Sequence, residues 1–244
     1  MSDTNIQLVQ WAGVSPKTTL SPPCAKVHMA LRFKGLEYKI YNCKSSKDVK
    51  RFNARGRVPS LVIDGEVFVD SSDILSEIDR RWPTPPLLPE GTRDQALCRM
   101  IEDWVDEVLY FYGLAKRWCF DDGFAWLKPT VFGSLPAPLS WFVPNLIRKQ
   151  VGGRAKGQGV GVKPREAVDR ELNEGLQMMS DLLGNQDFFF GSEPTRADIS
   201  FSATLDQTQI PGLPPALAID LSLWPNLKAW SKRMHLRIPT AAWD

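Results

Sequence analysis

Histidine is scarce, with two in 244 residues, and the four cysteines, Cys24, Cys43, Cys98 and Cys119, lie far apart. There is no Cys-x-x-Cys pair and no Cys/His cluster, so neither a structural zinc site nor a short disulfide framework is supported. No metal is expected, and a reducing cytoplasm is the expected setting. The formal net charge is only +2, and no end carries a run of like charge, so nothing advertises nucleic acid. No stretch approaches the about 18 apolar residues that a bilayer-spanning helix needs. The first residues, Met-Ser-Asp-Thr-Asn, show no basic segment leading into an apolar one, so no secretory signal is expected.

What remains is an ordinary globular balance, 43% apolar and 24% charged, in a chain long enough for two domains of roughly 100–150 residues. Tryptophan (9) and proline (19) are both abundant, many of them in the second half, which suggests helices joined by stiff apolar connections. Ile6 to Trp11 reads as a strand. Ser21-Pro22-Pro23-Cys24 opens a helix over about 22–34, with serine as N-cap and prolines in the first turn, and Gly35 ends it. Glu37 to Asn42 reads as a second strand, and Lys44 to Phe52 as a short helix or loop. Val58 to Ile63 is a strand with a proline near its start. Asp64-Gly65 is a hairpin signal, and Glu66 to Val69 is the returning strand. Ser71 or Ser72 then caps a helix to about Trp82, with Ile74, Leu75 and Ile78 on one face.

The order is βαβαββα, a thioredoxin-like α/β topology for residues 1–83. Pro83 to Gly91 carries prolines at 83, 85, 86 and 89 and cannot continue a helix, so 84–93 is read as a linker. From there only helical patterns follow, over about 94–120, 163–184, 198–209 and 223–235, giving an all-α domain from 94 to 244. The stretch Asp121 to Lys163 interleaves aromatics with prolines and ends in basic residues. It is read first as a cover for a pocket, with a dimer contact and a membrane-surface patch as alternatives.

Three features together resemble the glutathione transferase superfamily: the Ser21-Pro22-Pro23-Cys24 helix start with Leu31 and Gly35 behind it, Asn53 to Leu61 followed by Asp70-Ser71, and Thr195-Arg196-Ala197-Asp198 opening an apolar helix. The likeness covers nearly the whole chain and is to the cytosolic, Ser/Cys-type members. A narrower likeness to the metaxin/failed-axon-related branch lies in Gly157-Gln158-Gly159-Val160-Gly161 and Asp187-Phe188-Phe189-Phe190-Gly191. The basic-Ser-Pro continuation of that branch is absent, since Val162-Lys163-Pro164 follows.

The resemblance implies glutathione as co-substrate and a small apolar electrophile as its partner, with a homodimer as the usual assembly. A free thiol has a pKa of about 8.5 and must be held as thiolate by a donor and by the positive end of a helix. By resemblance Ser21 is the catalytic donor; read from the residue alone it is an N-cap. Ser15, Thr18 and Thr19 are nearby hydroxyls that could replace it. Cys24 lies three residues after Ser21 and not in a dithiol pair, which argues against disulfide exchange. Pro59 is the implied cis-proline, which would turn the Val58 backbone toward glutathione; the plain alternative is an edge-strand proline. Ser71 would grip the γ-glutamyl carboxylate and Asp70 the α-ammonium, or both simply cap a helix. Arg57, or less directly Lys44, would approach the glycyl carboxylate. Trp11, Val14, Tyr110, Tyr112 and Trp118 are the electrophile-pocket candidates, although aromatic stripes on helices more often face a core. Thr195 and Asp198 are read as a structural capping box. The competing reading is a non-catalytic relative that binds a protein or membrane.

Overall fold

The computed structural model describes residues 4–133 and 135–242. They form two compact units. One comprises the chain up to Glu102 together with Asn185–Gln207 and the segment from Ala229 onward; the other comprises Asp103–Gly184 and Thr208–Lys228.

The first unit is built on a four-stranded mixed sheet in the order β2-β1-β3-β4: β1 (Ile6–Gln10), β2 (Lys39–Asn42), β3 (Ser60–Ile63) and β4 (Glu66–Val69). β1 runs parallel to β2, which requires the α1 crossover (Pro22–Phe33) between them, while β3 is antiparallel to β1 and to β4. Asp64, at φ +51, and Gly65 make the two-residue turn between β3 and β4. The stretch after Lys44 resolves as a helix, α2 (Ser46–Phe52), capped by Ser45, whose side chain accepts from the Asp48 amide. Alternation along β1 sorts its side chains between two layers. Leu8 is fully buried and Gln10 hydrogen-bonds to His28 of α1, whereas Val9 packs with Cys43 and with Val49 of α2.

Helix α3 (Ser71–Arg81) buries Ile74, Leu75 and Ile78, and α4 (Thr92–Trp104) follows the proline segment. The N-cap of α3 is Asp70, not Ser71 or Ser72 as expected, because Asp70 takes a left-handed backbone and its carboxylate reaches the Ser72 amide at 3.1 Å. The unit is completed by α9 (Arg196–Asp206), which is buried along its whole length, and by the part of α10 (Pro225–Arg237) from Ala229 onward. Thr195 and Asp198 form the capping box at the start of α9. Asp198 also accepts from the Phe189 amide (3.0 Å) and from Trp230 Nε1 (2.9 Å), beside a packed Phe189–Phe201–Trp230 cluster. Burial raises the Asp198 carboxyl pKa, while these two donors and the Thr195 amide and hydroxyl oppose it.

The second unit is helical: a π-turn at Val105–Leu109, then α5 (Tyr110–Trp118), α6 (Asp121–Phe132), α7 (Leu139–Gln158), a 3₁₀ turn (Val160–Val162) and α8 (Arg165–Leu183). The expected helix over 94–120 is therefore present with one π-turn inside it. The 121–163 stretch, for which no helices were expected, holds two whose periodicity is masked by Pro129 and Pro144, each lying within a helix. The Gln158-Gly159-Val160-Gly161 run turns sharply back on α7, and a Cβ on Gly161 would fall 2.6 Å from the Lys156 amide nitrogen. Among the described residues no helix is long and apolar enough to cross a membrane.

Candidate functional site

Sheet register gathers the candidate residues at one end of the first unit. Gln10 pairs with Asn42, Val9 with Ser60, and Ser60 with Val69. The loop leaving β1, the loop leaving β2, the entry to β3 and the exit from β4 therefore share one edge of the sheet. Those connections carry Ser21, Lys44, Val58-Pro59 and Asp70-Ser71 respectively.

Ser21 occupies the N-cap position of α1, but its side chain makes no capping hydrogen bond. Pro22 and Pro23 supply no N–H, and the Ala25 amide already donates to the Ser21 carbonyl at 2.9 Å. The Cys24 amide is thus the one helical N–H left to face a ligand, and the α1 terminus attracts anions through few donors. The hydroxyls of Ser21 and Thr19 meet the Cys24 thiol instead. Burial pushes that thiol up to about 12, and its contacts with Ser21, Thr19 and the Trp11 backbone offset it only in part. A thiol so held is inert at neutral pH. Iodoacetamide applied to the native protein should leave Cys24 unlabelled while half-buried Cys119 labels first; rapid labelling of Cys24 in a peptide mass map would contradict this placement.

The Thr18 and Thr19 hydroxyls are committed to backbone, and Ser15 Oγ lies 3.5 Å from Thr18 Oγ1. Thr18 donates to the Ser15 carbonyl at 3.2 Å, and Thr19 donates to the Trp11 carbonyl at 3.1 Å. Thr19 is a hub: its N–H donates to Ala241 O (2.9 Å), its carbonyl accepts from Gln207 (3.2 Å), and its Oγ accepts from the Ser21 amide (3.2 Å). Thr18 and Thr19 are fully buried, whereas Ser21 is partly open to solvent. Behind the loop, Gln10 accepts from His28 Nε2 at 2.7 Å and donates to Asn42 Oδ1 and Thr18 O. Burial, with Arg32 nearby, drives the His28 pKa down to about 3, so it is a neutral structural imidazole.

The Val58–Pro59 bond is cis. Among the described residues no hydrogen bond engages the Val58 amide or carbonyl, and neither belongs to β3. The Arg57 carbonyl is fixed by Asn53 Nδ2 at 2.9 Å, while its side chain is exposed and has no carboxylate partner among the described residues. Asp70 stands at φ +73 and ψ 127, a conformation that non-glycine residues rarely hold. Such outliers persist where the surroundings over-determine them, often at ligand sites.

A buried charge cluster lies directly behind this edge, and the sequence reading missed it. Lys26 Nζ lies 2.5 Å from Glu102 Oε1, and Arg196 pairs with both carboxylate oxygens of Glu102. Ser72 joins it, accepting from Lys26 (3.0 Å) and donating to Glu102 (3.1 Å). Lys26, Glu102 and Arg196 are all at most 3% exposed. Burial works against ionisation of Glu102, yet Lys26 and Arg196 outweigh it and hold the carboxyl below its usual range. The signal was a lysine in the middle of a helix whose every neighbour is apolar or buried.

Two family models match the chain. One, described as the glutathione S-transferase N-terminal domain, covers residues 17–86, and the other, the C-terminal domain of the same family, covers 163–233. The chain belongs to the glutathione transferase superfamily. A Drosophila melanogaster protein, Failed axon connections, is 29% identical over 217 residues, 83% of this chain and 50% of that protein, so the chain spans about half the length of this curated relative. The β-etherase of a Sphingobium strain shares the fold with a TM-score of 0.66 at 23% identity, covering 95% of both chains. A glutathione S-transferase of Methylobacterium radiotolerans, solved in complex with glutathione sulfonate, does so with a TM-score of 0.63 at 23% identity, over 96% of this chain and 91% of that one.

The electrophile-pocket candidates are divided between the two units. In the first unit Trp11 and Val14 are exposed on the loop leading to Ser21. In the second unit Tyr112 is buried and donates to Glu171 of α8 at 3.1 Å. Trp118 packs on Phe124 and Phe132, and Tyr110 stands edge-on to Phe111.

The described C-terminal segment of this transferase-family chain is anchored in the first unit. Asp206 is buried, accepts from Thr240 Oγ1, and faces His235 Nε2 at 2.9 Å. The hydrogen bond to Asp206 raises the His235 pKa above its ordinary 6.5, with burial opposing. A raised folded pKa stabilises below the unfolded value and loses that contribution as pH climbs through the folded one. His235→Gln should therefore lower the melting temperature more in solution well below pH 6.5 than in alkaline solution. An equal loss at both would show that the charge contributes nothing.

Proposed function

We propose that this protein is a glutathione transferase in which the Ser21 hydroxyl holds the glutathione thiolate for attack on an apolar electrophile. The observation that carries the reading is the gathering, at one sheet edge, of a solvent-open Ser21, a cis-Pro59 with an unengaged Val58 backbone, and Asp70-Ser71 at a helix start. In this reading the cysteinyl backbone of glutathione pairs with Val58 like an added strand. Ser71 and the first amides of α3 take the γ-glutamyl carboxylate, Asp70 takes the α-ammonium, and Arg57 takes the glycyl carboxylate. The thiol proton leaves to solvent, and Ser21 Oγ–H donates to the sulfur. The sulfur lone pair forms the new S–C bond as the electrophile's leaving group departs with its bonding pair.

In this reading Trp11 and Val14 meet the electrophile beside Ser21, with Tyr110 and Trp118 as further candidates, while Tyr112 packs against Glu171. The reading keeps the 1–83 glutathione-binding part, the 84–93 linker and the 94–244 helical part. It also keeps a cytoplasmic homodimer, and membership in the failed-axon-like branch. Transferases among the structural relatives, one of them solved with a glutathione derivative, support it.

A second reading is a non-catalytic binding module with a vestigial site, since the name of the relative matched over 83% of this chain, Failed axon connections, states no transferase activity. Calorimetric titration of glutathione, read together with thiolate ultraviolet absorbance, separates the two. Binding at micromolar to millimolar levels with a thiolate signal is expected. No heat and no thermal shift at saturating glutathione would overturn the transferase reading in favour of the module.

A further inference from the structure

Helix α7 is amphipathic in reverse. Its inward side is built from small residues: Gly152 and Ala155 are buried, and a Cβ on Gly152 would lie 3.4 Å from the Trp118 carbonyl of α5. Its large apolar side chains point outward. Leu139 is 50% exposed, Trp141 66%, Phe142 70% and Leu146 65%. At 3.6 residues per turn, Leu139, Phe142 and Leu146 fall on one stripe, and Lys149 and Lys156 continue it toward the C-terminus. All five are exposed, and Trp141 flanks the stripe.

Charge completes the pattern. Every charged residue between Asp122 and Glu166 is basic. Arg148, Lys163 and Arg165 are neutralised by Asp121, Glu171 and Asp122. Lys128, Lys149, Arg154 and Lys156 are exposed and have no carboxylate partner among the described residues. A protein partner for an apolar stripe does not require the absence of acid over so long a stretch. An acidic phospholipid surface does, because each carboxylate would be repelled and each lysine attracted.

We propose that α7 seats this protein on an anionic lipid surface. Leu139, Trp141, Phe142 and Leu146 enter the headgroup–acyl boundary, and Lys149 and Lys156 meet lipid phosphates. Tryptophan and phenylalanine beside lysine are the composition of interfacial helices, which sink about 5–10 Å into the boundary. The proposal is independent of the glutathione chemistry, since none of these residues belongs to the Ser21 edge.

The test is co-sedimentation of the full chain with vesicles of phosphatidylcholine alone and of phosphatidylcholine with phosphatidylserine. Binding is expected to the mixed vesicles and to be much weaker on phosphatidylcholine. It should weaken but persist at about 1 M salt, where the screening length falls to about 3 Å. Lys149→Glu/Lys156→Glu should reduce the partition coefficient by more than about tenfold, since each basic residue near such a surface contributes about fivefold. Phe142→Glu should abolish binding without changing the melting temperature, because the side chain is already in water. The proposal is overturned if neither vesicle binds, if both bind equally, or if Phe142→Glu leaves binding intact. Sedimentation velocity of the lipid-free protein covers the remaining occupant: a dimer that Phe142→Glu converts to monomer would assign the stripe to a second copy instead.

Discussion

Glu102→Gln will destabilise the protein by about 3–5 kcal/mol, the cost of removing one partner from a buried ionic group. The expectation rests on charge count. Lys26, Arg196 and Glu102 carry a net charge of +1 in a space where none is more than 3% exposed. Glutamine preserves shape and keeps acceptors for Ser72 and Lys26, yet leaves two cations without an anion. Lys26→Met will cost less, because it leaves the Arg196–Glu102 pair neutral and fills the lysine's path with apolar atoms. The double variant Lys26→Met/Glu102→Gln should recover part of the single loss, because only one unpaired cation then remains. Urea unfolding of the four proteins checks the order, and a double variant as unstable as the sum of the singles would show that the groups do not act as a cluster. The pH dependence has a definite sign. A depressed carboxyl pKa stabilises above its unfolded value and loses that contribution as pH falls through the folded one. Wild type should therefore lose stability in acid, below the ordinary 4.5, faster than Glu102→Gln does.

The parts of the fold legible in the sequence were those with a strong local cause. β1, α1, the Asp64-Gly65 turn and the Thr195/Asp198 box each rest on periodicity, proline placement or capping chemistry within a few residues. The Asp70 cap was misplaced by one residue, because serine is a favoured cap and nothing local announces a left-handed aspartate. Helices α6 and α7 were hidden for a different reason. Pro129 and Pro144 interrupt their pattern, and α7 turns its large apolar residues outward, so its period points away from the core. The candidate site followed the same divide. Ser21, Val58-Pro59 and Asp70-Ser71 are motif positions that a reader can see. The Lys26–Glu102–Arg196 cluster joins residues 76 and 94 positions apart, and no window of sequence contains it. The Thr19 hub, tied to Gln207 and Ala241, was out of reach for the same reason.

Ser21→Ala will lower the rate of glutathione conjugation by about 10²-fold, the usual cost of removing one preorganised donor from a developing or held anion. Many helix starts would soften such a loss, because three or four free amides share the load. Here Pro22 and Pro23 remove two of them, and the Ser21 amide itself donates to Thr19, which leaves the Cys24 amide and the serine hydroxyl. The replacement should raise the bound thiol's pKa toward the free value of about 8.5, and the pH–rate profile of kcat/KM should shift upward with it. Stability gives the control. An N-cap serine that bonds its helix costs about 1 kcal/mol to remove, but this one makes no capping bond, so the melting temperature should barely move. Ser21→Thr, which keeps a hydroxyl donor beside an added methyl, should fall between the two. The measurement is the pH–rate profile of all three proteins with a model aryl halide, beside their thermal melts. An alanine variant with an unchanged profile and a lowered melting temperature would reverse the assignment, making Ser21 a structural residue and moving thiolate stabilisation to the Cys24 amide at the same helix start.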